Sequence, residues 1–382
     1  MHHGTPVTGA SRRGIALLCA LLWLCPLFAA GQETDSPEPV GSVSLVTESA
    51  SDEDRQLDVG LVILDPGIPA DASTYSRSGI FPEIRKAEAR YIPVLLRQVL
   101  QEANAWGVVR VFPETPAGIE LLVTGRILAS DGQRLALAFT ARDSTGRVWL
   151  QRSYLDEAAD ADYPVQPGSD PYADLYRRVA NDLLAVRRSL DARELHAIRE
   201  VALLRYAANL APEAFDGYLE QGEDGRFRLL RLPATDDPML QRVETIRNQE
   251  HLFIDTVDEQ YVDLYEQMAE TYNLWRQFGR EQAIYSQEYQ QRALDSDRRG
   301  QRGSFVALEQ VYTNYKGVKI QQQELDELAT GFNNEVTPTV MEVSGRVFRL
   351  NGSLDGQYRE WRDILRRIFA LESGLPATPP GG

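Results

Sequence analysis

Three consecutive apolar-rich runs, Glu120–Ala129, Arg134–Arg142 and Arg147–Leu155, are separated only by Ser130-Asp131-Gly132 and Asp143-Ser144-Thr145-Gly146. Short linkers of this composition are hairpin turns, so the runs must pair with one another antiparallel. In the last two runs apolar and polar positions alternate (Leu135, Leu137 and Phe139; Val148 and Leu150), as in a sheet with one covered face. The flanking sequence supplies the cover. A strand at Val59–Leu64 stops at Asp65-Pro66-Gly67, and helical spacing follows from Pro82 to Trp106. Pro93 interrupts that spacing, so the helix is expected to kink there or to be regular only beyond it. A second strand, Val108–Phe112, and a helix from Tyr172 to about Leu190 complete an α+β domain over residues 58–190. Its sheet is expected to be mixed or antiparallel, with two covering helices.

From Asp191 the pattern turns helical. Asp191 caps a helix to Leu210 that Pro212 ends, Phe215–Leu219 adds a turn, and Arg226–Leu232 forms a short strand. Ile254, Val257, Tyr261, Leu264, Met268, Thr271, Trp275 and Phe278 then step alternately by three and four, a heptad seam with one polar break. A similar rhythm returns at Leu325, Leu328, Phe332, Val336, Val340, Val343, Val347, Leu350, Leu354, Tyr358, Trp361, Leu365 and Ile368. Pro338, Gly345, Gly352 and Gly356 argue against one rod, so two or three helices packed antiparallel on the first seam are expected. The reading is a mainly α-helical domain over 191–372 with long heptad-patterned helices, and a loose tail over 373–382.

The first 31 residues read as an export signal: Arg12 and Arg13, an apolar run from Ile15 to Phe28, then Ala29-Ala30-Gly31. Cleavage is expected after Gly31. The chain's two cysteines, Cys19 and Cys25, both lie inside the signal, and each follows a leucine, which does not suit lipid attachment. Removal of residues 1–31 from the 382 would leave an exported chain without a thiol, which points to a bacterial periplasm, with secretion or peripheral attachment at the outer membrane as the alternative. Residues 32–57 are acidic and Ser-rich, and read as a flexible linker. The net charge of −16 disfavours nucleic acid and anionic membrane surfaces as partners. No later apolar run is long enough to span a membrane.

Catalytic signatures are sparse. The chain has no HExxH, GxSxG, Walker or GxGxxG motif, and nothing in it calls for a cofactor. His251, Asp255 and Glu259 fall on one helical stripe and are weak metal-ligand candidates, although the adjacent seam implies that the stripe faces water. His196 reads as an incidental surface residue. The loop Asp71–Ser78, with Asp71, Ser73, Tyr75 and Arg77, occupies a position where α/β folds often bind ligands. Tyr265, Tyr272 and Tyr289 lie off the heptad seam and are candidates for a partner surface.

Val59–Leu64, Val123-Thr-Gly125-Arg-Ile127, Leu135–Asp143, Thr145-Gly-Arg-Val-Trp149 and Asp174–Asp182 follow one another in a recognisable order. Residues 58–190 resemble the α+β domain shared by the amino-terminal part of TolB, curli secretion lipoproteins and penicillin-binding-protein activator lipoproteins. The whole chain also resembles uncharacterised exported proteins of Gram-negative bacteria. The resemblance implies a domain that binds other envelope proteins rather than one that performs catalysis. The expected function is a non-enzymatic periplasmic adaptor or assembly factor for cell-envelope proteins, able to self-associate through the helical half. A small-molecule or glycan-binding module is the alternative, and a metal-dependent hydrolase the third.

Overall fold

Paired strands and the helices laid on them organise the first half of the chain. The computed structural model describes residues 37–49, 55–75, 80–166, 168–234, 236–299 and 337–374, together with 323, 326, 327 and 329–331. The expected export signal at 1–31 and the end of the expected tail lie outside the described residues. Strands β1 (Val59–Val62), β2 (Val109–Phe112), β3 (Leu121–Ser130), β4 (Arg134–Asp143) and β5 (Val148–Glu157) form one mixed sheet in the order β2-β1-β3-β4-β5. β1 runs parallel to both of its neighbours, and β3–β4–β5 is the antiparallel meander expected from the turns. Asp143 explains the second turn. Its carboxylate accepts from Thr145 N–H at 2.9 Å and from the Trp149 indole at 2.8 Å, so one buried acid orders the turn and anchors a core aromatic.

Helix α1 (Pro82–Glu102) passes through Pro93 without a break. Proline at this position cannot donate to the carbonyl of Ala89, one turn earlier. That carbonyl instead accepts from Leu64 N–H at 2.9 Å, at the end of the first strand. The bond missing from the helix thus becomes a tie between α1 and the sheet. Helix α2 (Ala173–Ser189) buries Leu175, Tyr176, Val179, Leu183 and Leu184 in the same core.

Residues 37–49 correct the expectation of a flexible lead. Val40 N–H donates to Leu155, Val43 and Val46 N–H donate to the Asp174 and Asn181 side chains on α2, and Glu48 pairs with Arg187 and Arg188. The segment lacks apolar bulk but satisfies its backbone on side chains of α2.

Helix α3 (Ala192–Leu210) starts at Asp191, whose side chain accepts from Glu194 N–H while Glu194 reaches back, a capping box. A one-turn helix α4 (Pro212–Phe215) leads to a hairpin, β6 (Leu219–Gln221) and β7 (Phe227–Leu229). The 62-residue α5 (Pro238–Arg299) follows. Seam residues Ile254, Val257, Met268 and Trp275 are buried. The second rhythm does not form a helix throughout. Val340, Val343, Val347 and Leu350 lie on a hairpin, β8 (Thr339–Val343) and β9 (Arg346–Leu350), before α6 (Leu354–Ser373). Ser344 and Gly345 both have positive φ, 50° and 70°, the geometry of a two-residue hairpin turn. Among the described residues, no helix is long and apolar enough to cross a membrane.

The core does not divide at Asp191. Phe112 and Ile119 from the sheet side pack in one cluster with Phe253 of α5 and with Tyr358 and Trp361 of α6. A second contact between the halves is made backbone to backbone. Gly132, in the β3–β4 turn at φ 83°, lies so close to α5 that a Cβ there would be 2.1 Å from the Arg276 carbonyl oxygen. Gly132→Ala combines a disfavoured backbone with this overlap and should destabilise the protein by about 2 kcal/mol or more. Urea unfolding within about 0.5 kcal/mol of wild type would show that α5 can move away without cost.

Candidate functional site

Helices α1 and α5 are held apart by aromatic rings. Phe81 meets Trp275 edge-on with ring centroids 6.2 Å apart, and Tyr91 meets Tyr272 at 5.9 Å. Beneath these rings lies a buried polar network. The Glu88 carboxylate accepts from Ser130 Oγ at 2.5 Å and from the Tyr272 hydroxyl, and its second oxygen stands 3.4 Å from Arg85 Nε. One turn along α5, Arg276 has a fully buried side chain and reaches Asp170 at 2.7 Å. Its guanidinium lies over Tyr272 at 4.0 Å and Tyr172 at 5.0 Å. Nε and Nη2 have no hydrogen-bond acceptor, so ring faces take the place of oxygen acceptors. Burial opposes the charge on Arg276, but Asp170 and the surrounding tyrosines hold its pKa well above the ordinary value. The network fixes α5 against α1, α2 and the β3–β4 turn.

A groove of about 810 Å³ opens beside this network. One wall is the second half of α1, with Val94, Leu95, Gln98 and Glu102. The opposite wall is α5, with Tyr265, Glu266, Glu270, Asn273 and Leu274. The end is closed by Pro164, Val165, Gln166 and Gly168–Asp170 before α2, and by the first turns of α2, including Tyr176 and Arg177. Its lining is apolar at depth, where Val94 and Tyr176 are buried, and acidic at the lips, where Glu102, Glu266 and Glu270 are exposed. Burial pushes the Tyr91 hydroxyl up to about 12 and Tyr176 well above its ordinary value, so both stay neutral hydrogen-bond donors. The Tyr176 hydroxyl is buried without a hydrogen-bond partner.

The residues singled out from sequence lie mostly elsewhere. Tyr272 is fully buried and Tyr265 is half-buried at the junction of three apolar clusters, so neither forms a free partner surface. α1 covers the face that helical spacing left open. The side chain of Tyr289 lies outside the described residues. The His251–Asp255–Glu259 stripe does not simply face water. His251 packs edge-on against Phe112 of β2 at 6.2 Å, and Asp255 accepts from Arg110 at 2.8 and 3.0 Å. Glu259 alone of the three is exposed. No group of three or more His, Cys, Asp or Glu that could hold a metal ion occurs among the described residues. Asp71 accepts from Ser73 N–H at 2.9 Å, and the Tyr75 hydroxyl donates to Pro69 at 3.0 Å. Arg77 lies outside the described residues, and the loop's described part lines none of the groove. His196 is exposed and pairs with Glu200 one turn on. Sequence reasoning missed Arg276, Glu88 and Tyr176. A charged residue beside a heptad position is the only signal that Arg276 left.

Two measurements follow from this geometry. Asp170→Asn leaves the buried Arg276 cation without its counterion and should cost about 3–5 kcal/mol in urea unfolding. Asp170→Asn with Arg276→Met should cost clearly less than the sum of the single changes, and simple additivity would refute the coupling. Burial, followed by the charges of Arg110 and Arg247, lowers the His251 pKa to about 3. The folded state therefore holds the ring neutral, and its contribution is complete above 6.5 and lost as pH falls toward about 3. Asp258, raised to about 6 mainly by burial, acts in the opposite direction, because its protonation on acidification favours the fold. His251→Phe keeps a ring on Phe112, and its melting temperature should fall less than wild type between pH 7 and pH 4. Parallel curves would show that His251 does not titrate with unfolding. No family model, no curated protein and no solved structure matches this chain.

Proposed function

We propose that this chain is a non-catalytic adaptor or assembly factor of the cell envelope, and that a segment of a partner protein docks in the groove between α1 and α5. The observation that carries this reading is the groove itself: about 810 Å³, open to solvent, apolar at depth and polar at the lips. Recognition clefts share this make-up, with apolar depth giving affinity and polar edges giving selection. Tyr91 against Tyr272 spaces its two walls, and the buried Arg276–Asp170 pair ties α5 to the loop at the groove's end.

The resemblance of residues 58–190 to envelope-protein-binding domains accords with this role, and the export signal accords with a periplasmic setting. The aromatic face of α5 is a weaker docking candidate, because Tyr272 and Trp275 are already enclosed. The test uses the full chain in its own cells, with a photo-crosslinking amino acid at Asn273 on α5 or Gln98 on α1. Both positions should give a discrete adduct with an envelope protein, whereas Leu371, 74% exposed on α6, should not. Equal adducts from all three positions, or none from the groove, would defeat the proposal.

A further inference from the structure

We infer that the groove selects a cationic amphipathic peptide segment, with lysine or arginine side chains at the lips and apolar side chains on the floor; this inference rests on the docking role proposed above. Charge gives the first part of the argument. Glu102 on one wall and Glu266 and Glu270 on the other form no ion pair among the described residues. The groove's other charges are already engaged. Arg177 is held by Asp174 at 2.9 Å, and Asp170 is held by Arg276 at 2.7 Å. Three carboxylates therefore bias the groove against anions. Glu266 and Glu270 are also one turn apart on the same helix, where like charges repel each other. A cation lying between the walls relieves that repulsion.

The floor gives the second part. Val94, Leu95 and Val99 of α1 and Tyr265 and Ala269 of α5 present apolar surface, and Leu274 on the α5 wall remains 50% exposed. A small hydrated cation would leave this surface wet, and a neutral glycan would leave the carboxylates uncompensated. A peptide with basic and apolar side chains on alternate faces matches both.

The test is fluorescence anisotropy with the full-length protein and a fluorescein-labelled amphipathic peptide of lysine and leucine. A matched peptide with glutamate in place of lysine serves as comparison. The lysine peptide should bind with an affinity that falls as salt rises, and the glutamate peptide should not bind measurably. Glu266→Gln with Glu270→Gln should weaken binding about tenfold or more. Glu220→Gln with Glu223→Gln removes two exposed charges from the β6–β7 hairpin and should leave binding unchanged.

Equal binding of both peptides, or equal losses from the groove and hairpin variants, overturns the inference. Crosslinking at Asn273 separates its failure from that of the docking role. A discrete envelope adduct without lysine-peptide binding removes the cationic class and leaves docking standing. Absence of both removes the two together.

Discussion

Arg276 is the residue on which the arrangement of the two halves depends. A guanidinium buried without compensation is among the most destabilising things a protein can contain, so its surroundings must be in place for the chain to fold as it does. Those surroundings come from separate parts of the sequence: Asp170 from the loop before α2, Tyr172 from its start, and Tyr272 from one turn back on α5. Tyr272 then passes its hydroxyl to Glu88 on α1, and Glu88 takes a second bond from Ser130 at the end of β3. No member can be placed before the others. Packing of α5 on the sheet side is thereby specified in register and rotation as well as in apolar area.

The same rule of satisfying backbone and charge elsewhere recurs where local sequence would break an element. Pro93 removes a helical donor, and Leu64 supplies the replacement from the sheet. Arg97 and Arg110 pair with Asp258 and Asp255, tying α1 and β2 to the same stretch of α5. Burial raises the Asp258 pKa even beside Arg97. A chain with an overall excess of acid thus draws several of its arginines into contacts between its halves.

What could be read from the residues was whatever has a local cause. The meander was legible because its turns are short and carry Gly132 and Gly146 at positive φ, and α3 because Asp191 and Glu194 cap each other. The β8–β9 hairpin was not. Val340, Val343, Val347 and Leu350 step by three and four, which suits a helix, yet Met341 and Val343 point inward at a spacing of two while Val340 and Val347 remain exposed. Ser344-Gly345 was the overlooked sign. Residues 37–49 escaped because their order comes from Asn181 and Asp174, more than a hundred residues away. The groove was invisible for a related reason. Glu102 and Glu266 share it only because Tyr91 and Tyr272 keep their helices a ring's width apart, and no pattern along either helix records that distance.

That spacing also explains why a groove persists where two helices might have closed on each other. Near Phe81 and Tyr91 the gap between α1 and α5 is filled by Trp275 and Tyr272, which contribute dispersion and ring contacts to both sides. Toward the end of α1 the available residues change to Gln98 and Glu102, and across from them α5 offers Glu266 and Glu270. Closing the walls further would bring like charges together out of water. Aromatic contact sets the separation at one end, Arg97 on α1 is tied to Asp258 on α5 farther along, and Glu102, Glu266 and Glu270 stay exposed. A segment able to close the groove must bring positive charge for the lips and apolar side chains for the floor.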